Sequence, residues 1–391
     1  MAAVIFSKSK IYFGKAQGRN LDTIINGPPE GFLFNVKELT LHSWAWDRPT
    51  MASMYRLLGA IPRHQLVSFI SHIELDRQTV SFLLGAQSKL QTLGLVRLGQ
   101  SENSLPSSRY IRDNLSDLRE LAISVIDSFL GSYLPLETLF AHSPLLRTLK
   151  ICGASIPQGG REVFAGWKLS ASTPPLNISR LELSYLSLTP GINDLPARLH
   201  LPTLSILHIR KCYEVSGLIY AFGTAYRSSG HKSLDEFVFK SRGQRDDFNQ
   251  IERFLRRLNA VKIVKLSCDA TSVEYLPPPS TFETIGHAIR VLHITSSFRG
   301  NYYNVNSLNG ICRMCPSVEV LCLDLVDISR DIDDLDEEQD FRLPAYSKVS
   351  TSLSVLRESL VGACTRNKES STDRQIESTG RVIQPSYTAY Y

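Results

Sequence analysis

Apolar residues return along this chain in one short pattern, L-x-x-L-x-L, with Ile, Val or Phe allowed at the apolar places. It reads VKELTL at 36–41, ISHIEL at 70–75, LQTLGL at 90–95, LRELAI at 118–123 and LRTLKI at 146–151. It continues as ISRLEL at 178–183, LSILHI at 204–209, LDEFVF at 234–239, VKIVKL at 261–266, IRVLHI at 289–294 and VEVLCL at 318–323. The second apolar residues are Leu39, Ile73, Leu93, Leu121, Leu149, Leu181, Leu207, Phe237, Val264, Leu292 and Leu321. Their steps run from 20 to 34 residues with a mean of about 28, within the period range of stacked strand-and-helix repeats. One hexamer carries no information. Eleven at near-constant spacing define a repeat.

The x-L-x-L half alternates with period two, as a strand with one buried face requires. Between strands the spacing becomes helical. In 247–261, Ile251, Phe254, Leu255 and Leu258 fall at i, i+3, i+4 and i+7, with Arg253, Arg256 and Arg257 toward the solvated side. Similar stretches lie at 79–90, 217–229 and 305–315. Strand, helix and strand in about 28 residues make a parallel crossover unit, which must stack on neighbours to bury its apolar face. Strands sit about 4.8 Å apart and packed helices about 8–10 Å, so the helical side is longer and the stack curves. The expected fold is therefore an α/β leucine-rich-repeat solenoid, a horseshoe with a concave parallel sheet and convex helices.

The ends divide accordingly. Residues 1–35 form an N-terminal capping segment, with NLDTIIN (20–26) as a candidate strand, and 36–325 hold about 11 repeats. Insertions rich in Pro, Ser and Gly at 101–108, 153–175 and 274–281 fall between strands. An acidic loop spans 326–346, with seven carboxylates in the ten residues 331–340. Leu353, Leu356 and Leu360 predict a C-terminal capping helix over 347–364, and 365–391 reads as a polar disordered tail.

Composition narrows the function classes. The net charge of +5 over 391 residues is too dilute to imply nucleic acid, whose footprint needs clustered cations. No apolar run is long enough for a membrane-spanning helix. Seven scattered cysteines, with no signal-peptide pattern at the N-terminus, indicate reduced thiols and a cytoplasmic or nuclear location. Cys312-x-x-Cys315 lacks the second pair that a structural zinc site needs, so neither a metal nor a cofactor is expected. The sequence contains no G-x-S-x-G elbow, no phosphate loop, no dinucleotide fingerprint and no H-E-x-x-H. It is read as non-catalytic.

In x-L-x-L strands the x positions face away from the core. The positions one and three residues after the second apolar place bring Lys150, His208, Arg210, Lys240, Lys265 and His293 to the middle strands, against the single carboxylate Glu182. Glu74, Asp76 and Asp324 fall at the ends. This pattern predicts a basic central trough for an acidic or phosphorylated protein segment, with Arg210 as the bidentate contact. The chain's own 331–340 segment is the alternative occupant.

Segments such as HSPLLRTLKI (142–151) and CPSVEVLCLDL (315–325) carry a helix end, a proline turn and the next strand. In this layout 36–325 resembles the F-box leucine-rich-repeat proteins, and its irregular repeats resemble the fungal branch of that family. The resemblance implies a substrate receptor for a cullin–RING ubiquitin ligase, docked to the ligase adaptor through an F-box. The first 35 residues hold no L-P-x-E opening of such a module. Leu134-Pro135-Leu136-Glu137 lies between two strands, where 134–140 is expected to be convex-side helix. Gly18-Arg19-Asn20-Leu21-Asp22-Thr23-Ile24 is similar to the segment just after the F-box in fungal members. Two functions are open: an F-box-like substrate receptor whose F-box lies upstream, or a stand-alone recognition scaffold with no ubiquitin link.

Overall fold

Among the described residues, thirteen strands lie side by side in strict chain order in one open sheet. They are β1 (Lys8–Phe13), β2 (Glu38–Ser43), β3 (Ser68–Leu75), β4 (Thr92–Leu98), β5 (Glu120–Val125), β6 (Thr148–Gly153) and β7 (Arg180–Ser184). After these come β8 (Ile206–Arg210), β9 (Ser233–Ser241), β10 (Ala260–Cys268), β11 (Val291–Ser296), β12 (Val320–Asp324) and β13 (Lys348–Ser352). The computed structural model describes residues 8–13, 33–43, 51–98, 115–125, 140–153, 175–186, 188, 195–230, 233–241, 245–268, 276–296, 303, 305–324 and 348–352. Strands β1 to β12 pair in parallel, and β13 closes the row antiparallel to β12.

Three apolar ladders run through the stack. Leu39, Phe69, Leu93 and their successors to Leu321 line up strand beside strand, and all are buried. Two residues on, Leu41, Leu95, Ile123 and their successors to Leu323 form the second ladder. Three residues before the first, Val36, Leu66, Leu90 and their successors to Val318 form the third. In ten of the eleven repeats the L-x-x-L-x-L motif thus puts its three apolar residues into one continuous core, β3 being the exception. This is the leucine-rich-repeat solenoid.

A backbone ladder fixes the register. The carbonyl of Arg119 accepts from both Arg147 N–H and Thr148 N–H, at 2.8 and 2.9 Å. The carbonyls of Lys37, Val67, Gln91, Arg147, Ser179, Ser205 and Arg290 do the same for the next repeat. Each of these turns into a strand therefore satisfies two backbone amides on the preceding turn.

The helices pack on the opposite side of the sheet. Among the described residues they are α1 (Met51–Gly59), α2 (Arg77–Ala86), α3 (Val215–Ser229), α4 (Arg245–Leu255) and α5 (Val305–Met314). The helices expected at 79–90, 217–229, 247–261 and 305–315 are thus present as α2 to α5. α4 stops at Leu255 because the next turn tightens, with Arg257 N–H bonding Phe254 O and Leu258 N–H bonding Leu255 O. Phe254 of α4 sits between Phe237 of β9 and Tyr226 of α3, with ring centroids 5.3 and 6.0 Å away. The linker between β10 and β11 uses short 3-10 turns at Pro279–Phe282 and Gly286–Ala288 instead.

Four expectations need correction or lie out of reach. In β3 the residue beside Leu39 is Phe69, not Ile73; Ile70 pairs with Thr40 and Ser71 with Leu41. The true hexamer is LVSFIS (66–71), hidden because Ser71 occupies the second inward place. Its hydroxyl donates to Ile73 O at 2.7 Å and accepts from Ile73 N–H at 3.2 Å, which accommodates a bulge before Glu74. The steps around it become 30 and 24 residues, and the whole series narrows to 24–32. Second, strand β13 occupies 348–352, where the capping helix over 347–364 was expected. Leu353, Leu356 and Leu360 lie outside the described residues. Third, β1 extends the sheet into the segment read as a cap, with Ile11 beside Leu41. Fourth, NLDTIIN (20–26), most of 134–140, the acidic stretch 331–340 and the tail 365–391 also lie outside the described residues.

Candidate functional site: the open face of the sheet

The face opposite the helices carries the x residues of every strand, and the register sorts them into three rows. A first row, nearest the strand starts, runs Glu120, Thr148, Arg180, Ile206, Glu236, Ile263. The middle row runs Lys150, Glu182, His208, Val238, Lys265, His293. The third, nearest the strand ends, runs Cys152, Ser184, Arg210, Lys240, Ser267, Thr295. The six residues expected to form a basic trough all lie on this face, four in the middle row and two in the third.

The trough is not uniformly basic, because the first row of outward positions brings Glu120 and Glu236 beside it. Its positions precede the second apolar residue and face outward by the same period-two rule. Lys150 is bound to Glu120 at 2.5 Å, and Lys265 to Glu236 at 3.3 Å. Arg180 in turn holds Glu182 at 2.5 Å. Each of these carboxylates in the first and middle rows is therefore tied to a cation beside it. The pairs are partly exposed, so each stabilises the fold by about 1 kcal/mol at most; their main effect is to cancel charge locally.

His208 is 3% exposed although it faces outward, because the ring is sandwiched between β7 and β9. Its Nδ1 lies 3.9 Å from Glu182 Oε1 and 3.4 Å from Arg210 Nη2, and its Nε2 lies 3.4 Å from Glu236 Oε1. Burial pushes its pKa below the ordinary histidine value, against the pull of the two carboxylates. His293 is lowered likewise by burial and by Lys265.

The third row differs. Arg210 is exposed and lies directly beside Lys240 of β9, with Ser184 and Ser267 on the flanking strands. No carboxylate occupies this row from Ser124 of β5 to Thr295 of β11. Like charges on neighbouring strands repel, and an anion between them relieves that repulsion. At the far end of the first row, Ile263, Val291 and Val320 make an apolar strip, with Val320 39% exposed.

Two of the three acidic end positions, Asp76 and Glu74, change meaning. Asp76 does not face outward; it caps α2, its Oδ1 accepting from Thr79 N–H at 2.7 Å. Glu74 pairs with Val96 beyond the bulge, and Ile70 takes its expected place between Thr40 and Gly94. Where Asp76 was expected, the rings of His42 and His72 stack at 4.4 Å.

No family model matches this chain. No curated protein matches it either. Among solved structures, a chain of the yeast Rad7 and Elc1 complex is 16% identical with a TM-score of 0.41, covering 75% of this chain and 71% of that one. A Bacteroides fragilis protein is 13% identical with a TM-score of 0.39, covering 69% and 76%. The leucine-rich repeat-containing protein LegL7 of Legionella pneumophila is 8% identical with a TM-score of 0.36, covering 80% and 99%. At these values none of them says what this chain binds.

Other sites offer less chemistry. A groove of about 770 Å³ on the helical side is lined by Pro196, Leu199, Pro202 and the α3 residues Tyr220, Thr224 and Ser228. Its described lining holds His200 but no carboxylate to pair with it as acid and base. Cys315 is buried, its thiol pushed up to about 12 by burial and by Cys312, so it is a poor nucleophile and a poor metal ligand. Among the described residues no group of three His, Cys, Asp or Glu could hold a metal, and no helix is long and apolar enough to cross a membrane.

Proposed function

We propose that this chain is a non-catalytic recognition protein that binds an acidic or phosphorylated segment of a partner on the open face of its sheet. The segment lies along the third row, where Arg210 and Lys240 receive carboxylates or a phosphate and Ser184 and Ser267 supply hydroxyls. One observation carries this reading: Arg210 and Lys240 stand side by side on β8 and β9, in a row that holds no carboxylate from Ser124 to Thr295. A guanidinium grips a carboxylate or phosphate with two parallel hydrogen bonds, and a lysine adds a point charge. The apolar strip at Ile263, Val291 and Val320 gives a longer partner somewhere to bury side chains.

The test is fluorescence anisotropy with a labelled poly-aspartate peptide and a poly-asparagine control. Wild type binds the first and not the second, and added salt weakens binding. Arg210→Glu with Lys240→Glu weakens it by about tenfold or more, about 1.4 kcal/mol. Equal binding by the double variant refutes the third row as the site.

The ubiquitin-ligase role rests only on the resemblance to F-box leucine-rich-repeat proteins. The longest described helix is α3, 15 residues, and it packs within the repeats. Co-purification of a cullin and its adaptor with the full chain supports that role; specific partners without them support the stand-alone scaffold.

A further inference from the structure

Among the described residues, His208 is the one strongly buried ionisable side chain on the open face, and it stands between the recognition row and the ion pairs. Arginine can only donate hydrogen bonds. The contact from Arg210 Nη2 at 3.4 Å therefore requires Nδ1 to be the bare, accepting nitrogen. The ring proton must then sit on Nε2, where it faces Glu236 Oε1 at 3.4 Å without a well-aligned hydrogen bond. In this state a neutral ring anchors the Arg210 guanidinium against the sheet.

A proton arriving from solvent can go only to Nδ1. Nδ1–H then has no lone pair left to accept from Arg210 and repels it, while Glu182 Oε1, 3.9 Å away, becomes its acceptor. We propose that His208 is a proton-operated latch: neutral, it holds Arg210 down; protonated, it turns to Glu182 and releases the guanidinium to the open face, strengthening the grip on an acidic partner. This regulation rests on the reading of the third row given above.

The charged groups facing the ring lie on its own strand and its neighbours. Arg180 and Glu182 lie on β7, Arg210 on β8 itself, Glu236 and Lys240 on β9, with Lys265 of β10 reaching Glu236. Arg210 and Arg180 oppose protonation, while Glu236 and Glu182 favour it. An anion bound at Arg210 offsets that opposition, so binding draws a proton onto His208. Reciprocally, protonation tightens binding.

The test uses the full chain labelled with ¹³C,¹⁵N-histidine and followed by NMR against pH, with His208→Gln identifying the resonance. Expected are the Nε2–H tautomer at neutral pH, a midpoint below the ordinary 6.5, and a higher midpoint in Arg210→Gln. An Nδ1–H tautomer, or a midpoint indifferent to Arg210→Gln, overturns the latch. Poly-aspartate stays ionised through this window. Its affinity for wild type rises about 2–5-fold as His208 protonates, and stays flat in His208→Gln. Binding by wild type that ignores pH also overturns the latch. If the NMR result holds but poly-aspartate binds at no pH, the latch is supported and the recognition reading fails.

Discussion

At the scale of single residues, polar side chains in buried places hold together what the apolar pattern cannot show. Gln87 is 2% exposed; its Oε1 accepts from Gln65 N–H and Leu66 N–H, and its Nε2 donates to Pro62 O at 3.0 Å. Gln65 in turn donates to Leu33 O and Val36 O, which ties the first repeats together. Gln87→Ala strips two amides of their acceptor and should cost about 2–3 kcal/mol, read as a lower urea midpoint, whereas Gln91→Ala on the exposed surface should leave it unchanged. His72, His208 and His293 all have pKa values lowered by burial. The unfolded chain therefore binds protons more readily than the folded one just below 6.5, so stability is full above 6.5 and falls as pH drops toward the folded values. Urea midpoints on either side of 6.5 should show this loss, reduced in His208→Gln; equal midpoints would contradict it. None of these roles was legible in the sequence. A buried glutamine and a buried histidine look like surface residues until their neighbours are known, and Asp76 looked outward-facing until its cap was seen.

At the scale of the element, the period-two alternation was enough to place ten of the eleven expected strands in register, from Leu39 and Leu93 through to Leu321. It failed in β3, where Ser71 broke the apolar pattern and drew the register to Ile73. It was silent on β1 and β13, which add only short segments at the two ends of the sheet. Nothing in the alternation marks how closely neighbouring turns approach. A Cβ on Gly153 at the end of β6 would lie 2.0 Å from Tyr185 O, a backbone atom with no room to give, since Tyr185 N–H is bound to Arg210 O. Gly153→Ala should therefore splay β6 from β7 and appear as new proteolytic cleavage there. Gly85 in α2 has open space around it, and Gly85→Ala should stabilise by about 0.5–1 kcal/mol through lower unfolded-chain entropy. Equal behaviour of the two variants would refute the close approach.

At the scale of the whole molecule, stacking turns a local pattern into an extended face whose charges are sorted by row. The outward positions were legible from the alternation, and so were Lys150, His208, Arg210, Lys240, Lys265 and His293. What could not be read was which cations would find partners, since that depends on residues 29 or 30 positions apart, such as Glu236 and Lys265 or Glu120 and Lys150. Counting the position before each second apolar residue would have exposed Glu120, Arg180 and Glu236. On the function proposed above, recognition by this face comes down to the adjacent cations of the third row. The direct measurement is affinity purification of the tagged full chain from its own cells beside the Arg210→Glu, Lys240→Glu variant, both checked for the same melting curve, with quantitative mass spectrometry of the proteins each retains. Partners bearing acidic or phosphorylated segments, retained by wild type and lost by the variant, are the predicted result. The same partners retained equally by both would contradict it.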